Sequence, residues 1–274
     1  MRKLLLAGAS LVALAAATPA SAADLRPMAA KAPPMAAFVP FSWTGFYVGF
    51  NAGYGFSDEN KVETRGIDLI NGANVAAGLR PRFVELNSEG FIGGLQLGYN
   101  WQFNNVVFGL ETDIQYTDFQ DSISVRTGAL GVLRNDYFQD LQYLGTFRGR
   151  LGLAFDRALI YVTGGLAYGG VENGADFYNA AGALAFSGRQ DDIRVGYTVG
   201  AGLEYAFTNN ISLKAEYLYY DLGDEDVRIG VQAPFTAAAI GAGYFSEFRN
   251  DGHIIRGGIN FKFGAPPAPI MARY

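Results

Sequence analysis

The sequence predicts an all-β chain closed as an eight-stranded, antiparallel, up-and-down transmembrane β-barrel. Three observations predict it: eight segments in which apolar residues alternate with polar or small ones, connections that strictly alternate short and long, and aromatic residues gathered at both ends of the segments.

The chain opens with Arg2 and Lys3, then an uncharged apolar run from Leu4 to Ala17, then the small residues Ala20-Ser21-Ala22. This order is that of a secretory signal, so residues 1–22 are expected to be removed. The run falls short of the roughly 20 residues a spanning helix needs. Residues 23–42, with Pro27, Pro33, Pro34 and Pro40, read as a flexible lead-in. The barrel is expected over 43–263, and residues 264–274, with Pro266, Pro267 and Pro269, read as a similar tail.

Composition narrows the function classes. Without the signal the chain carries 26 acids against 19 bases, a formal charge of -7, which argues against a nucleic-acid partner. There is no cysteine, hence no disulfide and no thiolate metal site, and His253 is the sole histidine. No cofactor is expected. A catalytic triad would have to be built on His253, with Ser246 and Glu247 near it in sequence, and no catalytic residue is assigned.

The first strand alternates Phe46, Val48, Phe50, Ala52, Tyr54 and Phe56 with Tyr47, Gly49, Asn51, Gly53 and Gly55. The second sets Phe91, Leu95, Leu97, Tyr99, Trp101 and Phe103 against Ile92, Gln96, Asn100 and Gln102. The third sets Val106, Phe108, Leu110, Ile114 and Tyr116 against Glu111, Asp113 and Gln115. The fourth sets Phe147, Leu151, Leu153 and Phe155 against Thr146, Arg148 and Arg150. The fifth sets Ile160, Val162, Leu166 and Tyr168 against Tyr161, Thr163 and Ala167. The sixth sets Val195, Tyr197, Val199, Leu203, Tyr205 and Phe207 against Thr198 and Glu204. The seventh sets Leu213, Ala215, Tyr217 and Tyr219 against Ser212, Lys214 and Glu216. The eighth sets Ile255, Ile259, Phe261 and Phe263 against Arg256, Asn260 and Lys262.

Segments of about ten residues suit a strand that crosses a bilayer at a tilt. Tight turns are expected at Asn104-Asn105, Asp156-Arg157 and Thr208-Asn209-Asn210. Long loops are expected at about 57–89, 117–141, 171–192 and 222–252. Sorting loop lengths by side belongs to outer-membrane barrels, and an even strand count puts both ends of the chain on the short-turn, periplasmic side.

In hydrocarbon an unpaired backbone group costs several kcal/mol, so the sheet must close, with its apolar face toward lipid. The other faces then enclose Glu111, Asp113, Arg148, Arg150, Glu204, Lys214, Glu216, Arg256 and Lys262, four acids and five bases. Eight strands leave a bore about wide enough for side chains to fill. A plug of mutually neutralising ion pairs is expected, with a solute-selective lining as the alternative. Two loop stretches, Ala180 to Phe186 and Val231 to Phe245, are apolar; they either extend the strands and pack loop on loop or mark a partner-binding surface.

Several motifs also resemble a known group. They are Trp43-Thr44-Gly45-Phe46-Tyr47-Val48-Gly49, Leu144-Gly145-Thr146-Phe147-Arg148-Gly149-Arg150-Leu151-Gly152 and Tyr161-Val162-Thr163-Gly164-Gly165-Leu166-Ala167-Tyr168-Gly169. Val199 to Phe207 and Leu213 to Asp221 continue the match. The chain resembles the small porin-like surface antigens of alphaproteobacterial outer membranes, with OmpA-type eight-stranded domains as broader relatives. The resemblance implies a non-catalytic envelope protein that supports membrane integrity and surface interactions. Its partners would be outer-membrane lipid and lipopolysaccharide, the barrel-assembly machinery, and host or surface ligands met through the loops. Some relatives are described as porins and some as adhesins or haem binders, which would make His253 the candidate imidazole ligand. In the family a terminal aromatic is read by the assembly machinery. Here that residue is Phe263, with eleven residues after it, so the signal is either internal or replaced by Tyr274.

Overall fold

Alternation along a strand puts successive side chains on opposite faces, so a chain with two unlike faces must decide which one to enclose. In this protein the choice reverses part-way up the barrel. The computed structural model describes residues 41–57, 60–235 and 242–263. The expected signal, most of the lead-in and the tail lie outside them.

Eight long strands form the barrel: β1 (Gly45–Phe56), β4 (Glu89–Phe103), β5 (Val106–Thr127), β6 (Leu133–Phe155), β7 (Ala158–Tyr178), β8 (Leu184–Ala206), β9 (Ile211–Val231) and β10 (Gly243–Phe263). Each pairs antiparallel with its neighbour, and β1 closes the ring on β10, from Phe46 opposite Phe263 to Phe56 opposite His253. The tight turns fall where the sequence expects them. Asn104 and Asp156 take positive φ at 54° and 53°, the conformation that asparagine and aspartate tolerate best after glycine.

In the lower half the apolar set faces outward. Phe50, Phe91, Leu95, Phe147, Leu151, Val162, Val199, Leu203 and Ile255 are all exposed. From Val195 to Phe207 the outward face spans twelve residue steps, which at a barrel strand's rise and tilt is roughly 30 Å, the thickness of a hydrocarbon core. Tyrosines 54, 116, 197 and 217 mark its upper edge, and Trp101, Phe103, Phe155 and Phe207 its lower edge. This is the double girdle that bilayer interfaces favour.

Above that edge the strands do not give way to loops, as the expected boundaries had it. They run on through most of 117–141, 171–192 and 222–252. The reason is the reversal. An extra residue in β6 between Leu141 and Leu144 and another in β9 between Leu222 and Glu225 shift the parity of those two strands, so Tyr137, Val227 and Ile229 point inward; β7 and β10 keep their parity, and their inward positions turn apolar higher up, at Phe177, Tyr244 and Phe248. Tyr137, Phe177, Val227, Ile229, Tyr244 and Phe248 build a soluble-type core there. The connection expected at 57–89 contains β2 (Asn60–Gly66), α1 (Leu69–Ala76) and β3 (Phe83–Leu86). β1 is short, and β2 occupies the place beside β10 above it, pairing Glu63–Gly66 with Tyr244–Glu247. Val62, Val84 and Leu86 complete the upper core.

The two apolar stretches singled out in the sequence meet one another. Phe186 pairs with Val231, and its ring lies 5.1 Å from that of Tyr244. Residues 236–241 lie outside the described ones.

Candidate functional site

The bore is stacked in layers, and each layer follows from the inward parity of the same strands. At the short-turn end Trp43, Val107, Ala154, Leu159, Tyr161 and Ala206 form an apolar floor. Next comes a layer of charge. Above it Ile92, Phe119, Leu141, Leu144, Val171, Leu218, Tyr220 and Ile254 form an apolar septum. A polar layer follows, in which Gln139 donates to Asn250 at 2.8 Å and Asn173 to Glu225 at 2.8 Å. The upper core closes the stack.

The charged layer holds eight of the nine residues expected to line the bore. Arg148 is fully buried and donates through Nη2 to Glu111 Oε1 at 2.5 Å and Asp113 Oδ2 at 2.8 Å. Its Nη1 donates to Glu216 Oε1 at 3.1 Å, and its Nε to the Thr146 hydroxyl at 2.9 Å. Arg256 reaches Glu216 Oε2 at 2.5 Å and Asp113 Oδ2 at 2.9 Å. Arg150 joins Glu204 at 2.7 Å, and Lys214 donates to Glu111 at 2.9 Å. Four carboxylates thus meet four cations. Each buried ion is costly to desolvate, and the charge-assisted bonds offset that cost only while the set stays balanced.

The ninth residue, Lys262, is not in the layer, which corrects the expectation. It sits at the short-turn rim, where its ammonium lies 4.3 Å from the Phe41 ring centre and donates to the Ser42 carbonyl. β10 reaches the barrel's lower edge at that point, so a long side chain finds the rim rather than the bore. Arg157 flanks the same ring at 5.1 Å. The end of the lead-in is therefore packed, not free: Phe41 stacks edge-on against Trp43 at 5.1 Å, and the Trp43 indole donates to the Asp156 carbonyl at 3.2 Å.

Two members of the layer were not assigned from sequence. Tyr47 donates to Glu111 at 2.7 Å and accepts from Arg150 at 2.7 Å. Tyr161 donates to Glu216 at 2.9 Å, and its ring lies 3.9 Å beneath the Arg150 guanidinium. Their inward parity was the available signal. Both rings lie flat against the wall because Gly98 and Gly202 face them; a Cβ at either position would collide with the phenol. In the polar layer above the septum, a cavity lined by Ser57, Ser88, Gln139, Tyr220 and Asn250 holds about 20 Å³, room for one water.

Other sequence candidates fall apart in space. His253 faces outward, stacked on Phe56 at 5.4 Å, with its Nδ1 2.7 Å from the Tyr217 hydroxyl. Ser246 is buried on the inner side, 3.0 Å from the Thr64 hydroxyl, and Glu247 pairs with Arg65 at 2.7 Å. Phe263 is lipid-facing at the lower edge, its ring 6.4 Å from Phe46. Above the membrane edge burial raises the Glu225 carboxyl from its usual range; the facing Asp192 adds to this, and Asn173 and Arg194 oppose it.

A closed ring of strands with an apolar belt outside and neutralised charge inside defines an integral outer-membrane β-barrel protein. The chain belongs to the outer membrane protein beta-barrel domain family, which matches residues 7–245. It is 39% identical, over 90% of its length and 95% of the relative's, to the 31 kDa outer-membrane immunogenic protein of Brucella melitensis biotype 1. It is 31% identical to the 22 kDa outer membrane protein of Rhizobium leguminosarum bv. viciae, over 68% of this chain and 67% of that one. Among solved structures, the outer membrane protein OprG of Pseudomonas aeruginosa aligns over 83% of this chain and 100% of its own, at 15% identity and a TM-score of 0.49.

Proposed function

We propose that this protein is a structural component of the outer membrane that displays a surface to the outside through its long-loop end and acts without catalysis. One observation carries the reading. The bore is filled by two apolar layers and a neutral ion-pair layer, so a hydrated solute would have to strip water from itself and separate buried charges. A small-solute porin needs a wet bore, which this packing does not support.

In this reading the short turns face the periplasm and the long loops the exterior. The belt residues meet outer-membrane lipid and lipopolysaccharide. Phe263, paired with Phe46 at the seam where the barrel closes, is the aromatic that the assembly machinery reads. Planar-bilayer recording of the folded full chain tests the reading: no stable large conductance is expected. A reproducible ohmic channel would replace the structural role with a porin.

A further inference from the structure

β8 and β9 separate just above the membrane. Their ladder holds up to Tyr197 opposite Asp221 and resumes at Ser187 opposite Gly230, with no pair between. The ladders of β4 to β8 and of β9 with β10 skip at most two residues at a bulge. Charge explains the break. A continuous ladder would set Asp192 opposite Glu225 or Asp226, and like charges directly opposite one another are unfavourable. Gly188 and Gly196 pin the two ends: a Cβ on either would strike the β9 backbone, at Arg228 and at Asp221.

The break is a window in the wall, and one side of it is a strand edge. β8 stays paired to β7 throughout, Asp191 opposite Glu172 and Ile193 opposite Gly170, so its β9-facing backbone groups are the ones without a ladder partner. On the other side Glu225 reaches past β8 to accept from Asn173 of β7 at 2.8 Å, and the Asp224 carbonyl takes the Arg194 guanidinium at 2.5 Å in place of a strand. Asp192 shares the inward parity of Thr198 and Glu204 and is nevertheless exposed. The outward Ile193 and Val195 are 70% and 65% exposed. Ile193 lies four residues beyond Tyr197, roughly 10 Å above the membrane edge.

The surroundings of this edge are acidic. Residues 188–196 and 221–229 hold six acids and three arginines. Arg194 lies 4.0 Å from Glu225, Arg189 is taken by Glu172 at 3.5 Å, and Asp226 by Arg65 at 3.0 Å. With those pairs set aside, four acids remain against Arg228 alone.

We propose that this edge takes an extended, cationic polypeptide segment as an added strand. The backbone of residues 189–195 supplies the ladder, Ile193 and Val195 supply apolar contacts at alternate positions, and the acids select the charge. A metal cation alone would use neither the backbone edge nor the apolar pair. A second copy in the same membrane fits poorly. Related by an axis along the membrane normal, it presents its own β8 in the same sense and crossed at roughly 80°, twice the strand tilt, where no ladder forms. The inference names a partner class for the outward display proposed above and rests on that reading.

The test uses the full chain in phosphatidylcholine nanodiscs and a fluorescent peptide of alternating lysine and valine, read by anisotropy. Saturable binding is expected, with the amides of 189–195 gaining protection from hydrogen exchange. N-methylation of alternate peptide nitrogens, which keeps the charge and blocks strand pairing, should weaken binding at least about tenfold. A glutamate–valine peptide should not bind. Asp191→Asn/Asp192→Asn should weaken binding at least about threefold at low salt and less at high salt. Ile193→Ser/Val195→Ser should weaken it about tenfold. All four positions are exposed, and heat-modifiable migration reports the fold of each variant. Absence of binding, equal binding of the methylated peptide, or protection confined to other strands overturns the proposal. Nanodisc self-association without peptide, lost in the serine variant, assigns the edge to a second copy and also overturns it. Conductance of the same samples separates the two readings: a closed bore without peptide binding leaves the structural role standing, and an open bore with binding removes only that role.

Discussion

Replacing Arg148 with methionine removes the centre of the ion-pair layer while keeping most of its volume. The guanidinium bonds three carboxylates, those of Glu111, Asp113 and Glu216, and all of them are sealed from solvent. Without it four carboxylates face three cations. Leaving one buried charge uncompensated costs about 3–5 kcal/mol, a factor of roughly 150 to 5,000 in the unfolding equilibrium. Adding Asp113→Asn restores the balance, because each remaining cation keeps a carboxylate: Arg256 keeps Glu216, Lys214 keeps Glu111 and Arg150 keeps Glu204. The double variant should therefore be more stable than Arg148→Met alone, with a coupling of about 1–3 kcal/mol. Equilibrium urea unfolding in lipid vesicles, followed by heat-modifiable migration, measures both. A single-variant cost under about 1 kcal/mol, or strict additivity of the two substitutions, would refute the idea that charge balance holds the bore closed.

Trp43→Ala should cost about 3–5 kcal/mol by emptying the floor, since the indole is 2% exposed, yet leave single-channel recordings silent because the charged layer above is intact. Leu203→Arg, on the lipid face near mid-membrane, should cost about 2–4 kcal/mol in the same urea assay, whereas Asp226→Lys on the upper exterior should cost far less. Asp140 stands opposite Glu172, which stands opposite Asp191. Partial burial and these like charges raise its carboxyl above the usual range. A raised carboxyl weakens the fold at neutral pH, and the penalty fades as pH falls through the raised value. Asp140→Asn should therefore stabilise by roughly 0.2–1 kcal/mol at neutral pH, toward the lower figure because the site is largely solvent-screened, and the gain should disappear in acid. Phe263→Ala should lower the yield of heat-modifiable barrel in cells more than it lowers the stability of barrel already folded.

Period-two alternation suffices to place eight strands and their outward face, because a bilayer accepts apolar residues on one side only. It also places the eight charges of the bore, since inward parity needs no knowledge of partners. Lys262 shares that parity and still misses the layer. Parity gives a direction, whereas height along a tilted strand decides which layer a side chain reaches. The pairing of Arg148 with three carboxylates from two other strands, and the entry of Tyr47 and Tyr161, depend on the barrel's register and stagger, which alternation leaves undetermined.

The upper half shows the same division. Tyr137 and Val227 are visible in the sequence as apolar, but one-residue bulges in β6 and β9 decide that they point inward, whereas Phe177 and Phe248 share the parity of Tyr161 and Arg256 lower on their own strands. α1 and β2 have local signals, yet their places over the core and beside β10 come from contacts between residues some 180 positions apart in the chain. Solvent polarity acts on each residue locally, so the amino-acid order alone dictated which face meets lipid. Closure, layer height and the mutual neutralisation of buried charge are long-range properties, and only the folded barrel settles them.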